Sequence, residues 1–248
     1  LERGRARIER SLARAVKAGK LEQASADESL ARMTFTCELE AMADREVVIE
    51  AVFEDEAVKV DVFRRLDRIV AAPDAILASN TSSIPIMKLG VETSRPAQVC
   101  GLHFFNPVPV LTLLELVTSL MTSQETAERA ATFASEQLGK HVIRSKDRAG
   151  FIVNALLIPY ILSAIRMFES GFATKEDIDA GMVKGCAHPM GPLALADLIG
   201  LDTTMAVANS MYEEFKEPLY APPPLLCRMV EAGLLGRKAG RGFYDYGK

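Results

Sequence analysis

The spacing of apolar residues along this chain changes character near residue 150. Before that point, short β-branched runs alternate with helical periods. Residues 1–19 place Ile8, Leu12, Ala15 and Val16 on one helical face and Arg3, Arg7, Arg10, Arg14 and Lys17 on another, the pattern of an amphipathic helix. Ser25 followed by Glu28 has the form of a capping box and predicts the start of a short helix. Thr34–Cys37 reads as a strand and Glu38–Asp44 as a short helix. Val47–Val52, VVIEAV, is strand-like by its β-branched content. Val58, Val62, Leu66 and Ile69 recur at helical spacing within Glu54–Val70, and Pro73 and Asp74 turn the chain into the apolar run Ala75–Ala78. Strand, helix, strand in this order predicts a crossover between parallel neighbours. Val99–Phe105 and Leu113–Val117 follow as strands, Ala127–Leu138 as a helix and Val142–Arg144 as a short strand.

Ser145–Gly150, SKDRAG, is polar and without period, so the domain boundary is placed there, dividing residues 1–147 from 148–248. After it every period is helical: Phe151–Glu169, Lys175–Lys184, Leu193–Ile199, Asp202–Phe215 and Leu225–Ala232. An α/β unit followed by a run of helices predicts a separate helical domain.

Polar groups cluster where the strand-like runs end, the place where open α/β sheets bind ligands. Asn80, Thr81, Ser82 and Ser83 follow Ala75–Ala78, and His103 and Asn106 lie at the end of Val99–Phe105. Glu115 is an acid inside an apolar run, which calls for a partner. A neutral imidazole beside a carboxylate is a general base with a fixed tautomer, although a histidine in an apolar run is also a common core residue. Ser82 is either a turn residue or a hydroxyl donor to a substrate oxygen. Asn154 is either a surface amide or, in its apolar helix, an amide with a buried partner. Glu54 and Lys59 read by themselves as a helix-start acid and a surface lysine, and Lys238 as a tail lysine. The basic stripe on residues 1–19 is either a solvated face or a seat for an anion.

Composition narrows the function classes. A formal charge of −4 argues against general nucleic-acid binding. No apolar run approaches the ~18 residues of a membrane span. Cys37, Cys100, Cys186 and Cys227 form no CxxC pair, and His141 and His188 have no metal-ligand spacing, so reduced cysteines and no metal are expected.

Ser79–Ser83 (SNTSS), Gly101–Pro109 (GLHFFNPVP), the twelve-position step from His103 to Glu115, Gly150–Asn154 (GFIVN), Pro189–Pro192 (PMGP), Gly200–Thr203 (GLDT) and Gly242–Tyr246 (GFYDY) occur in order. This set resembles the 3-hydroxyacyl-CoA dehydrogenase family over almost the whole chain. The resemblance implies a Rossmann-type α/β N-terminal domain and an all-α C-terminal domain that forms a homodimer. It implies NAD-dependent, reversible oxidation of L-3-hydroxyacyl-CoA to 3-oxoacyl-CoA, on short chains such as 3-hydroxybutyryl-CoA, with NADP open as the cofactor. His103 and Glu115 are then the proton relay, and Ser82 and Asn154 hold the substrate oxygen. Glu54, Lys59, Asn80, Ser82, Asn106 and Lys238 take the cofactor side, while Ser11, Lys17 and Ser82 take the coenzyme A side. The expected location is the cytoplasm, or the mitochondrial matrix in a eukaryote, with neither a membrane nor a nucleic acid as partner.

The family opens with a strand and a GxGxxG turn, and neither is found here; GRKAGRG at Gly236–Gly242 lacks the strand and helix such a turn needs. A chain without its first βαβ segment is therefore expected, one that alone binds NADH poorly and aggregates. Two rival readings follow: a sibling dehydrogenase of a free hydroxy acid such as gulonate, and a non-catalytic acyl-CoA-binding or dimerisation fragment.

Overall fold

The computed structural model describes residues 1–247. Five strands form one sheet in the order β1 (Val47–Glu50), β2 (Ile76–Ser79), β3 (Val99–Phe104), β4 (Leu113–Thr118) and β5 (His141–Lys146). β1, β2 and β3 run parallel, β3 and β4 antiparallel, and β4 and β5 parallel again. The β1–β2 crossover is α3 (Glu56–Ile69), entered through Asp55, whose carboxylate caps Val58 N. α1 (Glu2–Lys17) and α2 (Gln23–Ala31) precede it; α4 (Ile86–Gly90) lies between β2 and β3, and α5 (Gln124–Thr132) between β4 and β5.

The strand period of two sorts the core. Leu77, Val99 and Val117 face α3 and α4, packed with Phe63, Leu66, Ile86 and Leu89. Ile76, Ala78, Cys100, Leu102, Leu114 and Leu116 face the other way, onto Ala127, Ala130 and Ala134. Gly101 belongs to the first face because a Cβ there would stand 2.8 Å from Val117 Cβ and 3.0 Å from Ile86 Cδ1.

The second half is helical: α6 (Val153–Glu169), α7 (Lys175–Gly185), α8 (Pro192–Ile199), α9 (Leu201–Phe215) and α10 (Pro224–Glu231). Ile158, Ile161, Leu162, Ile165, Leu193, Ala196, Val207, Met211 and Leu226 make its core. Two buried carboxylates organise its end. Asp179 accepts from Leu193 N and Ala194 N at the start of α8, and Asp197 accepts from Phe243 N and Tyr244 N.

Two local expectations are corrected. Thr34–Cys37 is no strand: it pairs with no other strand among the described residues, and its β propensity has no ladder to join. Ser25 does not open α2. The helix begins at Gln23 with Glu22 as N-cap, and Ser25 accepts Ser29 Oγ through its carbonyl inside it.

Candidate active site

His103 and Glu115 are cross-strand partners in the antiparallel β3–β4 pair, so their side chains stand on one face. That face is the one shared with Val117 and Phe151. His103 Nδ1 lies 2.7 Å from Glu115 Oε2. Glu115 is fully buried and His103 is 4% exposed. The other Glu115 oxygen, Oε1, accepts from Ile152 N at 3.0 Å and Val153 N at 2.9 Å, the first amides of α6. An ionised carboxylate only accepts, so Nδ1 carries the ring proton and Nε2 is left with its lone pair.

Ser82 Oγ lies 3.0 Å from that Nε2. The serine sits in the loop after β2, and Glu54 folds this loop. Glu54 Oε1 accepts from Thr81 Oγ1 at 2.5 Å, Ser82 N at 2.9 Å, Ser83 N at 3.0 Å and Ser83 Oγ at 2.9 Å. Burial pushes the Glu54 carboxyl up, but the Thr81 hydroxyl, the Lys59 charge and the other loop donors outweigh it and hold the carboxyl below its ordinary value. Lys59 is 1% exposed, no surface lysine, and lies 2.7 Å from Glu50 Oε1 and 3.3 Å from Glu54 Oε2.

Two rings flank the imidazole: Phe105 at 4.8 Å and Phe151 at 5.4 Å between centroids. Phe151 has φ +48, a left-handed conformation that costs a bulky residue energy. Gly150 before it has φ +81 and no room for a Cβ, which would meet Met211 Sδ at 2.9 Å. This kink delivers the Ile152 and Val153 amides to Glu115.

Asn80 Oδ1 accepts from Phe104 N, which leaves its amide hydrogens for a ligand. Asn106 is exposed ahead of a cis Pro107. Asn154 stands on the first turn of α6, half-buried, its side chain making no hydrogen bond to another described residue. The buried partner expected for it is therefore absent, and its amide is available to a ligand instead. Ser11 and Lys17 lie on α1, which packs on α2 and buries none of its residues. Lys238 Nζ donates to Asp202 at the start of α9. The α9 residue that reaches the serine loop is Ser210, two turns further on, through a 2.8 Å bond to the Ser83 carbonyl.

The sequence reading passed over Glu50 and Phe151. Glu50 is an acid inside the strand-like run VVIEAV, the same signal that singled out Glu115. Phe151 has no such signal, since its role comes from a backbone angle. A cleft of about 720 Å³, lined by Arg45, Val47, Ile76 and Arg129, opens at the amino ends of β1 and β2, the opposite end from this chemistry. Among the described residues, no group of three potential ligands is placed to hold a metal ion.

A buried imidazole beside a carboxylate, with open amides at the carboxyl ends of a mostly parallel sheet and a helical second half supplying one wall, lies where open α/β sheets bind their ligands. Residues 1–148 match the family model described as 3-hydroxyacyl-CoA dehydrogenase, NAD binding domain, and residues 150–246 the corresponding C-terminal domain. A 3-hydroxybutyryl-CoA dehydrogenase of Mycobacterium tuberculosis is 62% identical over 98% of this chain and 85% of its own length. The crystal structure of M. tuberculosis FadB2 superposes with a TM-score of 0.98 at 61% identity, covering 100% of this chain and 87% of that one. The (S)-3-hydroxybutyryl-CoA dehydrogenase PaaH1 of Ralstonia eutropha does so with a TM-score of 0.94 at 46% identity, over 100% and 87%. The chain belongs to the 3-hydroxyacyl-CoA dehydrogenase family.

Proposed function

We propose that this protein oxidises the 3-hydroxyl of short-chain L-3-hydroxyacyl-CoA, such as 3-hydroxybutyryl-CoA, and reverses the reaction, with His103 as the acid–base group. The observation that carries this reading is a buried imidazole held between Glu115 Oε2, 2.7 Å from Nδ1, and Ser82 Oγ, 3.0 Å from Nε2. His103 Nε2 takes the proton from the substrate hydroxyl as the alkoxide forms, and Glu115 stabilises the imidazolium that results. In the reverse direction the same nitrogen returns the proton. Ser82 Oγ, already bonded to Nε2, and the open Asn154 amide hold the substrate oxygen in line. Phe105 and Phe151 keep water from the ring and strengthen its bond to Glu115.

NAD, when bound, accepts the hydride. The residues present fit its nicotinamide half: Asn80 and Asn106 have amide hydrogens to give, and Glu54 and Lys59 lie at the same strand ends. Lys238 belongs to the cofactor set by resemblance alone.

Coenzyme A phosphates are assigned to α1. Arg3, Arg7, Arg10, Arg14 and Lys17 have no carboxylate partner among the described residues, whereas Arg5 is paired with Glu9. That unpaired stripe favours a nucleotide thioester over a free hydroxy acid such as gulonate. A homodimer through the helical half belongs to the same reading and is supported by Leu156 and Phe172, exposed by 74% and 79% on that half. So does a cytoplasmic or mitochondrial-matrix location, supported by four free cysteines. No helix among the described residues is long and apolar enough to cross a membrane.

The direct assay follows NADH absorbance with 3-hydroxybutyryl-CoA, 3-hydroxybutyrate and gulonate as rival substrates. In this chain preceded by a GxGxxG segment of the family, reduction of NAD by the thioester alone is the expected result. Equal rates with a free hydroxy acid would replace the substrate class.

A further inference from the structure

A charged chain runs beneath the serine loop and ends on it. Glu50 closes β1 with a side chain wholly out of solvent. Its Oε1 accepts from Val52 N at 2.6 Å and Lys59 Nζ at 2.7 Å, and its Oε2 accepts from Ser79 Oγ at 2.6 Å. From there two arms reach the loop. Ser79 Oγ accepts from Thr81 N at 3.2 Å. Lys59 carries its charge on to Glu54, 3.3 Å away, and Glu54 gathers the donors of Thr81, Ser82 and Ser83.

Burying an ammonium between two carboxylates gains little stability over apolar groups of the same size. What it fixes is position, because the buried oxygens and N–H groups of this chain are held by partners they must keep. The object so fixed is a loop whose middle residue holds a hydroxyl 3.0 Å from His103 Nε2. Here position matters most, since misplacement by about 1 Å costs about 10²-fold in rate.

We propose that Glu50 is a positioning residue: through Lys59 and Glu54 on one arm and Ser79 on the other, it holds the Ser82 hydroxyl against His103. The inference rests on His103 being the acid–base group. Glu50 itself touches neither substrate nor cofactor.

The test compares Glu50→Gln with the double variant Glu50→Gln/Lys59→Met in the full chain, measuring Tm, kcat, KM for the acyl-CoA and the Kd for NADH. The single variant takes from Lys59 the nearer of its two carboxylates, leaving Glu54 at 3.3 Å, and lowers both Tm and kcat. The double variant removes both charges at nearly constant volume, so its Tm returns toward that of the parent. Its kcat stays at least about tenfold low with KM for the acyl-CoA within about threefold, because the loop has lost its anchor. Recovery of kcat together with Tm would overturn the proposal and leave the pair a structural one. A loss confined to NADH affinity would also overturn it and make Lys59 a cofactor contact only. Should the double variant not fold, Ser79→Ala decides, since it cuts one arm without touching a charge. A fall of kcat by a few-fold at unchanged NADH affinity supports the proposal, and no change overturns it. His103→Gln is run beside them: normal turnover there would sink the acid–base reading and not the anchor.

Discussion

Glu115 binds His103 with one oxygen and the start of α6 with the other. The carboxylate that sets the tautomer of the base also ties the sheet to the helix bearing Asn154. Glu115→Gln therefore acts on two levels. The amide keeps the shape but offers a single acceptor oxygen and no charge for the imidazolium. Turnover is predicted to fall about 10²-fold or more. Stability is predicted to fall by about 1–3 kcal/mol, because one set of buried donors loses its acceptor. Steady-state kinetics and urea unfolding check the two effects. A fully active, less stable variant would reduce Glu115 to a structural link.

The cations of α1 give a substrate-specific prediction. Arg14→Ala with Lys17→Ala should raise KM for a CoA thioester about tenfold, the scale of one or two lost charge-assisted bonds. A pantetheine thioester lacks the nucleotide phosphates and should be almost unaffected. Kinetics with both substrates at low and high salt read the difference, and equal changes would return the stripe to solvent.

Glu54 gives a pH dependence with a definite sign. Its carboxyl is held below the ordinary value of 4.5 in the folded protein, burial opposing and the Thr81 bond, Lys59 and the other loop donors prevailing. Its contribution is present above the unfolded value and is lost as pH falls through the lower, folded one. Glu54→Gln should therefore flatten the acid limb of the stability profile below about pH 4.5 and cost most near neutrality. Urea midpoints from pH 3 to 7 would show it, and parallel curves would contradict it.

The chain's end is predicted to be stapled by Asp197. This 1%-exposed carboxylate accepts from Phe243 N, Tyr244 N and Tyr246 Oη. At Gly242 a Cβ would fall 1.9 Å from Asp197 Oδ1. Asp197→Asn and Gly242→Ala should each cost about 2–3 kcal/mol, the range for a broken buried network. Chemical denaturation measures this, and a cost below about 0.5 kcal/mol, the scale of a neutral surface change, would show a loose tail.

Much of this was legible in the residues because Ala75–Ala78 and Val99–Phe105 announced themselves twice, by apolar content and by the polar groups at their ends. The His103–Glu115 pairing was legible as a spacing, and its antiparallel geometry was implicit too. Residues 105–112 are all that separate β3 from β4, fewer than the dozen or so a parallel crossover needs. Thr34–Cys37 misled because propensity is local and a strand needs a neighbour. Lys59 misled in another way: a lysine after a strand is usually solvated, and only the fold brings Glu50 and Glu54 to either side of it. Phe151 and the Gly150 kink had no sequence signal, since which residue takes the left-handed angle beside a glycine is decided by packing.

The central claim is that His103 moves the proton. The most direct measurement is the single-turnover rate of NADH formation from 3-hydroxybutyryl-CoA by His103→Gln, with NADH affinity measured on the same preparation. Glutamine can still bond to Glu115 and Ser82 but has no basic nitrogen. The account predicts a rate lower by about 10²–10⁴-fold, the span of general acid–base catalysis, at nearly unchanged NADH affinity. A rate within about threefold of the parent would contradict it.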